Sequence, residues 1–239
     1  MESKSSSAKL PLHVGIIMDG NRRWAKSHGL PASAGHSSGA KVFENIAKYA
    51  NNLGLKHLTV YAFSTENWKR SKTEISALMF LFKKYLKKSM REFSDENMKV
   101  KFLGDISSFS QDIQDLIRTI EFETKDRTGL NLNIAMNYGS RNEITNAVKK
   151  IAEKILRNEI SVEDINENTL QENLYTYDQP DIDFVIRTAG EKRLSNFMLW
   201  QSAYAEFYST EVLWPDFSPE EFNKAIDEYF RRTRRFGGA

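Results

Sequence analysis

Short apolar runs alternate along the chain with longer stretches of helical periodicity. The first run, residues 12–18, is continuous rather than alternating, which is typical of a strand that is covered on both faces. This alternation predicts an α/β fold in which helices flank a mainly parallel central sheet. The other apolar runs lie at residues 55–63, 100–103, 130–137, 182–187 and 211–214.

The longest amphipathic stretch spans residues 73–93 and predicts a helix with one apolar and one basic face. The basic face indicates either exposure to solvent or contact with an anionic membrane surface, and the pattern leaves both interpretations open. The apolar positions are Ile75, Leu78, Met79, Phe82, Tyr85, Leu86, Met90 and Phe93, and the basic ones are Lys83, Lys84, Lys87, Lys88 and Arg91.

Two other predicted helices have recognisable starts, at residues 140–143 (SRNE) and 218–221 (SPEE). Both match a capping box, in which a serine side chain and a glutamate side chain three residues later each accept a backbone N–H. The second also has proline at the first helical position, where its missing N–H costs nothing.

Composition excludes several classes of protein. The chain has 239 residues and no linker rich in Pro, Gly or Ser, so we expect one domain over residues 12–239 after a disordered polar tail at 1–11. The absence of cysteine excludes disulfides, thiolate catalysis and thiolate metal ligands. Lys and Arg number 34 against 32 Asp and Glu, and the net charge of +2 does not indicate nucleic-acid binding.

The sequence also bears on location. No run approaches the roughly 20 apolar residues that span a bilayer, and no signal peptide is recognisable. We therefore expect a cytoplasmic location, with peripheral contact at the inner face of the membrane as the other interpretation of the basic helix.

The most informative residues follow the first apolar run. Ligands of parallel sheets bind beyond the carboxyl ends of the strands, where Asp19, Gly20, Arg22 and Arg23 are expected. Asp19 offers hard oxygen ligands for Mg²⁺, and Gly20 lets the backbone approach a ligand closely. The arginines can donate charge-assisted hydrogen bonds to phosphate oxygens. The alternative is a strand followed by a solvated, basic helix start.

Polar clusters also follow three other apolar runs, at residues 64–70, 138–142 and 188–196. Because the carboxyl ends of parallel strands meet at one edge of a sheet, these clusters predict an oxyanion pocket there. Each cluster alone could be an ordinary capped loop, and this alternative is strongest for residues 138–142.

Two apparent motifs fail on inspection. Residues 35–41 (GHSSGAK) resemble a phosphate-binding loop but lack both its glycine spacing and its Lys-Ser/Thr ending. The histidines show no metal-ligand spacing, which argues against a zinc site. His36 is nevertheless a candidate anion donor, because it lies beside glycines ahead of a predicted helix. The four histidines are His13, His28, His36 and His57.

Several motifs together resemble the cis-prenyltransferase family, close to the bacterial undecaprenyl diphosphate synthases. They cover essentially the whole chain after the tail and occur in family order. No Asp-Asp-x-x-Asp motif is present, which argues against the trans-prenyltransferases. The motifs lie at residues 18–26 (MDGNRRWAK), 35–39 (GHSSG), 61–68 (YAFSTENW), 187–196 (RTAGEKRLSN), 197–208, 214–217 (WPDF) and 235–237 (RFG).

The resemblance implies an α/β fold with an apolar tunnel and the condensation of isopentenyl diphosphate with an allylic diphosphate, usually farnesyl diphosphate. It implies that Mg²⁺ binds at Asp19 and Glu206, and that Asp19 and Asn21 are catalytic, with Asn21 aiding proton removal. Isopentenyl diphosphate would contact Arg187, Arg193 and Ser195. The allylic substrate would contact Gly20, Asn21, Arg22, Arg23, Trp24, His36, Ser64, Glu66, Asn67, Trp68 and Arg70.

The resemblance also implies a homodimer and a long product. Arg235, Phe236 and Gly237 match an element that reaches the partner's second-substrate site in related enzymes. The tunnel would lie between the sheet and helices that include residues 73–93. Ala62 and Leu130 match positions that influence product length, and the small Ala62 favours a long product such as the undecaprenyl diphosphate used for cell-wall lipid carriers.

One position departs from the family. Relatives usually carry arginine where this chain has Ala32, and that arginine helps to bind the allylic diphosphate. The departure keeps two alternatives open, which are a non-catalytic partner subunit of the same fold and a short-chain or irregular prenyl diphosphate synthase.

Overall fold

The sheet consists of six strands in the part of the chain that the structure, a computed structural model, describes, which is residues 10–92 and 96–232 without the side chains of residues 89–92. All neighbouring strands are parallel, in the order β3-β4-β2-β1-β5-β6. The strands are β1 (His13–Ile17), β2 (His57–Ser64), β3 (Lys99–Leu103), β4 (Asn131–Tyr138), β5 (Phe184–Arg187) and β6 (Glu206–Ser209).

Helices cover both faces of this sheet, as the continuous apolar runs predict. Every residue of β1 is buried, and separate apolar clusters pack on its two sides. The parallel α/β prediction is therefore confirmed. The α-helices are α1 (Asn21–Ser27), α2 (Ala32–Leu53), α3 (Lys72–Glu92), α4 (Gln111–Thr124), α5 (Ser140–Leu156), α6 (Glu167–Gln171) and α7 (Pro219–Arg231), and the short 3₁₀ turns are Thr65–Lys69, Ile106–Ser108, Val162–Asp164 and Trp214–Asp216.

The last predicted strand, at residues 211–214, is wrong, because β6 lies earlier in the chain. The residues at 211–214 are apolar for another reason. Leu213 packs against Gly20, and the Trp214 indole Nε1 donates to the Gly39 carbonyl oxygen at 2.8 Å. This segment therefore holds α1 and α2 against the sheet rather than extending it.

Of the two predicted capping boxes, one is confirmed only in its serine half and the other is wrong. The Ser218 side chain accepts the backbone N–H of Glu221 at the start of α7, where proline occupies the first turn. In α5, by contrast, Ser140 is already helical and accepts from the backbone N–H of Leu199. Glu143 is buried and accepts from the Tyr138 hydroxyl instead of capping the helix.

The predictions about the chain ends and the basic helix have mixed outcomes. Residues 1–9 and 233–239, and Phe93 at the end of the amphipathic stretch, lie outside the described residues. The predicted basic face is not wholly solvated, since Lys83 pairs with Asp112 of α4 and Lys88 pairs with Glu44 of α2. None of the described helices is long and apolar enough to cross a membrane.

Candidate active site

A polar pocket of about 600 Å³ opens at the carboxyl edge of the sheet, beyond β1, β2 and β5. The chain leaves β1 towards β2 and later crosses from β4 to β5 on the other side of β1, and ligands of such sheets bind in the crevice where the strand order reverses. Most of the predicted site residues line this pocket: Asp19, Gly20, Asn21, Arg22, Arg23, His36, Ser64, Glu66, Asn67, Arg70, Arg187 and Ser195.

Arg187 and Asp19 form the fixed centre of the pocket. Arg187 ends β5 opposite Ile17 of β1, and only 4% of its surface is exposed. Its NH2 group donates to Asp19 Oδ2 at 2.8 Å, and its NH1 group donates to Ser195 Oγ at 2.7 Å and to the Arg193 carbonyl oxygen. Its Nε is buried without a hydrogen-bond partner. The guanidinium is therefore held in place before any ligand arrives.

Glycines bring Asn21 into the pocket. Gly20 has a φ of 107°, a left-handed conformation that suits glycine, and its carbonyl accepts the first turn of α1. A Cβ at Gly35 or Gly39 of α2 would overlap the backbone or side-chain oxygen of Asn21. The GHSSG motif is therefore a helix surface for close contact with α1, not a loop. It leaves Asn21 Oδ1 buried without a hydrogen-bond partner.

The exposed arginines of the pocket are held by acids. Arg23 donates to the Ala189 carbonyl oxygen at 2.7 Å and lies 3.8 Å from Glu191. Glu191 also pairs with Arg193, which is 63% exposed. Glu191 was not among the residues predicted from the sequence, although its position between the candidate arginines Arg187 and Arg193 was a usable signal. These pairs are partly solvated and weak, so a bound diphosphate can replace the carboxylate.

A second acid, Glu74, pairs with two arginines at the other side of the pocket. Arg70 donates to Glu74 at 3.0 Å, and Arg22 lies 3.8 Å from the same carboxylate oxygen. Glu74 lies in the first turn of α3, so this carboxylate connects that helix to the loop after β2 and to α1. The sequence analysis missed Glu74 as well.

His36 faces the pocket from α2 with an unpartnered nitrogen. Its Nε2 is buried without a hydrogen-bond partner. Burial lowers the pKa of His36 to about 4, and the nearby charges of Arg70 and Arg22 act in the same direction. The charge of Glu74 opposes this shift but does not cancel it. The imidazole is therefore neutral at neutral pH, and it can take up a proton when an anion approaches.

The loops after β2 and β5 meet above the pocket. The Asn67 side chain accepts the backbone N–H of Ser64 at 3.1 Å, and Asn196 Nδ2 donates to Glu66 at 3.0 Å. Ser195 and Asn196 have φ values of 48° and 64°, which are uncommon for residues other than glycine. This conformation directs Ser195 to Arg187 and Asn196 to Glu66. The sequence analysis did not assign Asn196 a role.

Three predicted substrate contacts lie outside the lining of this pocket. Trp24 donates to Asp216 at 2.7 Å and stacks on His28. Trp68 donates to Asn137 at 2.7 Å and packs in the aromatic cluster below the pocket. The side chain of Arg193 pairs with Glu191, although its carbonyl oxygen accepts from Arg187. Trp24 and Trp68 therefore support the pocket walls.

The predicted sharing of one metal ion by Asp19 and Glu206 does not fit a single chain. Glu206 begins β6 opposite Phe184, three residues before the position paired with Arg187. At 3.3 Å per residue the two levels lie roughly 10 Å apart, and Asp19 lies further on. Glu206 pairs with Arg232 at 3.1 Å instead.

Asp19 alone has the donor set of a magnesium site completed by substrate. Its Oδ1 accepts the Gly20 N–H at 2.7 Å and its Oδ2 accepts from Arg187, so each oxygen keeps lone pairs free. Mg²⁺ typically binds one or two carboxylates together with substrate phosphates. Among the described residues no group of three or more His, Cys, Asp or Glu side chains could hold a metal.

An apolar cavity of about 130 Å³ continues from the polar pocket. It lies between α2, α3 and the sheet, where the sequence predicted the tunnel. The two spaces share Met18, Asn21, His36, Ala62 and Leu78, so their walls are continuous. A molecule with an anionic head and a hydrocarbon tail fits this pair of spaces.

A polar pocket lined by arginines that opens on an apolar cavity suits prenyl diphosphates, the substrates of prenyl transferases. The sequence profile of the undecaprenyl diphosphate synthase family matches residues 17–237. The chain therefore belongs to this family.

Individual relatives agree with this assignment. The chain is 47% identical to an isoprenyl transferase of Clostridium perfringens, covering 96% of this chain and 91% of that one. It is 49% identical to the ditrans,polycis-undecaprenyl-diphosphate synthase, (2E,6E)-farnesyl-diphosphate specific, of Haemophilus influenzae, covering 96% of both. Among solved structures, lavandulyl diphosphate synthase from Lavandula x intermedia, in complex with dimethylallyl diphosphate, matches with a TM-score of 0.93 at 37% identity, covering 96% of this chain and 99% of that one.

Proposed function

We propose that this chain condenses isopentenyl diphosphate units, through new cis double bonds, onto an allylic diphosphate, with farnesyl diphosphate as the first candidate and undecaprenyl diphosphate as the expected product. The observation that carries the proposal is the Arg187–Asp19–Ser195 arrangement, which faces His36 and Arg23 across one pocket that opens on an apolar cavity. Two anionic groups and one hydrocarbon tail are what this reaction must bind together.

The allylic half of the pocket would stabilise the leaving diphosphate. Breaking the allylic C–O bond moves negative charge onto the diphosphate, and prepositioned donors stabilise that charge better than water does. Here the donors are the N–H groups at the start of α1, Arg23, His36 and Arg70. Arg23 and Arg70 would exchange their carboxylate partners for the substrate.

The other half would bind isopentenyl diphosphate through Arg187, Arg193 and Ser195. Arg193 points outward and must turn from Glu191 to reach the ligand. Asn21 lines the pocket with an unpartnered buried oxygen and can help to orient isopentenyl diphosphate, while the departing diphosphate takes up the proton that is lost. Mg²⁺ bound by Asp19 would supply charge neutralisation at a diphosphate.

The direct test incubates the protein with farnesyl diphosphate, labelled isopentenyl diphosphate and Mg²⁺, and separates the dephosphorylated products by chromatography. We expect a ladder that ends in one long species. Asp19→Asn should abolish the ladder, while the exposed control Arg118→Met should not. No incorporation by the parent protein, with both diphosphates still bound, would contradict the proposal and favour a non-catalytic partner subunit.

A short-chain or irregular prenyl diphosphate synthase is the second candidate, because the apolar cavity is small. An apolar cavity of about 150 Å³ holds one benzene molecule, so 130 Å³ holds roughly one five-carbon unit. The same assay with dimethylallyl diphosphate as primer separates the two candidates. A single short product, with no ladder from farnesyl diphosphate, would favour the second.

Assembly and membrane contact are further proposals. The homodimer is proposed from Arg235, Phe236 and Gly237, which lie outside the described residues. A mass measured by light scattering, together with restored activity when Arg235→Ala chains are mixed with Asp19→Asn chains, would support it. A monomer mass for the active enzyme would contradict it. Sedimentation with anionic vesicles tests a location at the inner face of the membrane.

A further inference from the structure

The apolar cavity ends well short of the far side of the sheet. On the face of β4 that packs against α2 and α3, Met136 and Ile134 line the cavity, whereas Leu132 and Leu130 beyond them are completely buried in the core. Ile134 pairs with Phe102 of β3, which also lines the cavity. Ile134 lies four positions from Leu130, which is roughly 13 Å along an extended strand. The cavity must therefore widen to hold a growing hydrocarbon chain.

The sheet side of the cavity cannot yield easily, since β3 and β4 are joined by a continuous hydrogen-bonded ladder. The opposite side consists of α2 and α3, which contact each other through side chains. Helices that pack by side chains can move apart without breaking backbone hydrogen bonds. Widening of the cavity is therefore expected between these two helices.

Two polar links tie α3 to α2 at this cavity. The Tyr85 hydroxyl donates to the Ser37 carbonyl oxygen at 2.9 Å. Lys88, one turn further along α3, donates to Glu44 Oε2 at 2.8 Å. Tyr85 and Glu44 both line the cavity, and the bulk of the Tyr85 ring occupies space next to Leu81 and Leu86.

Glu44 also places a charge at the wall of an apolar space. It is only 8% exposed, and its Oε1 is buried without a hydrogen-bond partner. A hydrocarbon that advances along the cavity would remove the remaining solvent from this carboxylate or separate it from Lys88. Both events are unfavourable because the Glu44 carboxylate is buried, although the Lys88 side chain that pairs with it is 40% exposed.

We propose that Tyr85 and the Glu44–Lys88 pair set the length of the product by holding α3 against α2 and by presenting a bulky ring and a charge to the advancing hydrocarbon tail. This inference rests on the proposed prenyl-transfer function and adds its length-determining residues.

The test compares product lengths of variants in the labelled isopentenyl diphosphate assay. Tyr85→Ala, and separately the double variant Glu44→Gln/Lys88→Met, should each lengthen the longest product by at least one five-carbon unit. Tyr85→Phe keeps the ring and loses only the hydroxyl, so it should give a smaller shift towards longer species. Lys83→Met is the matched control, because Lys83 lies on the same helix, pairs with Asp112 and does not line the cavity.

The outcomes separate this inference from the function on which it rests. Unchanged product lengths in Tyr85→Ala and the double variant, with total incorporation within about threefold of the parent, would overturn the inference and leave the function intact. An equal shift in Lys83→Met would overturn it too, because the effect would then belong to α3 in general. No elongation by the parent protein would overturn both.

Discussion

Two histidines at opposite ends of the strands, the buried His13 and the half-buried His36, show how the same lowering of the pKa serves different purposes. Burial lowers the pKa of both His13 and His36 to about 4. His13 begins β1, and its ring nitrogens lie 2.8 Å from the Pro180 carbonyl oxygen and 2.7 Å from Thr59 Oγ1. His36 faces the pocket beyond the other end of the strands, with Nε2 unpartnered.

The contrast extends to the surroundings of each histidine. At the amino end, Asn133 donates to Thr59 at 2.9 Å and exchanges hydrogen bonds with Gln179, so the buried polar groups satisfy one another. At the carboxyl edge, buried atoms of Asn21, His36 and Arg187 have no protein partner. An unsatisfied buried polar group costs roughly 1–3 kcal/mol, so the carboxyl edge gives up stability that a ligand can restore.

The largest expected effect is at Arg187. Replacing it with Met leaves Asp19 without its buried partner and removes a diphosphate donor. Two charge-assisted hydrogen bonds to a diphosphate are worth about 3–6 kcal/mol, so we expect kcat/KM for isopentenyl diphosphate to fall by roughly 1000-fold. Steady-state kinetics beside Arg118→Met checks this, and a loss under tenfold would show that the pair is not part of the site.

His13→Ala should act on stability rather than on activity. It removes a buried ring together with its hydrogen bonds to Thr59 and to the Pro180 carbonyl oxygen, so the free energy of unfolding should fall by about 3 kcal/mol. Urea titration measures this change. The activity per folded molecule should stay within twofold, and a large loss of kcat/KM in the folded variant would place His13 in the function instead.

Stability should fall in acid because of these histidines. Between pH 6.5 and about 4, the folded protein keeps His13 and His36 neutral while the unfolded chain protonates them. The unfolded state then binds more protons, so the free energy of unfolding decreases as the pH falls through this window, by up to roughly 3 kcal/mol per histidine. Urea titrations across this range check the slope, which His13→Gln should reduce and His28→Gln should not.

His36→Ala should give the opposite result to His13→Ala. Loss of a hydrogen bond to a charged group costs roughly 1.5–3 kcal/mol, so kcat/KM for the allylic substrate should fall by about 10-fold to 100-fold. The free energy of unfolding should change by less than about 1 kcal/mol, because no protein hydrogen bond to Nε2 is lost. If His36→Ala kept the kinetics of the parent protein but lost stability, the roles assigned to His13 and His36 would have to be exchanged.

The smallest expected effect is at Ala32, the first residue of α2, which is exposed. Ala32→Arg should lower the KM for farnesyl diphosphate by roughly threefold to tenfold, because it adds a charge-assisted donor at a partly solvated position. Ala32→Gln, which adds length without charge, should not. An unchanged or raised KM in Ala32→Arg would show that the pocket does not lack a donor.

Periodicity and strand-end chemistry predicted the sheet, its two-sided burial and the position of the pocket. They did so because the continuous run before Asp19 and the clusters after β2 and β5 are local patterns. The prediction of a sixth strand at residues 211–214 was wrong because the apolar residues Leu213 and Trp214 contact Gly20 and Gly39 instead of extending the sheet. Those glycines are distant in sequence.

The partners of the site residues depend on the fold as well. Glu191 and Glu74 each bind an arginine that is distant in sequence, Arg23 and Arg22, and only the fold reveals these two pairs. Glu206 resembled a metal ligand by its motif, yet the register of β5 and β6 places it at the opposite end of the strands from Asp19. The GHSSG motif became interpretable only when both glycines proved to contact Asn21.

The central claim is that the carboxyl edge binds a diphosphate that His36 contacts. The direct measurement follows the imidazole NMR signals of the four histidines during titration with a non-reactive thio analogue of farnesyl diphosphate, assigned with His13→Gln and His36→Gln. We predict that the His36 signal shifts and that its pKa rises above about 4, while His13 stays unchanged. An unmoved His36 signal at saturating analogue would contradict the account.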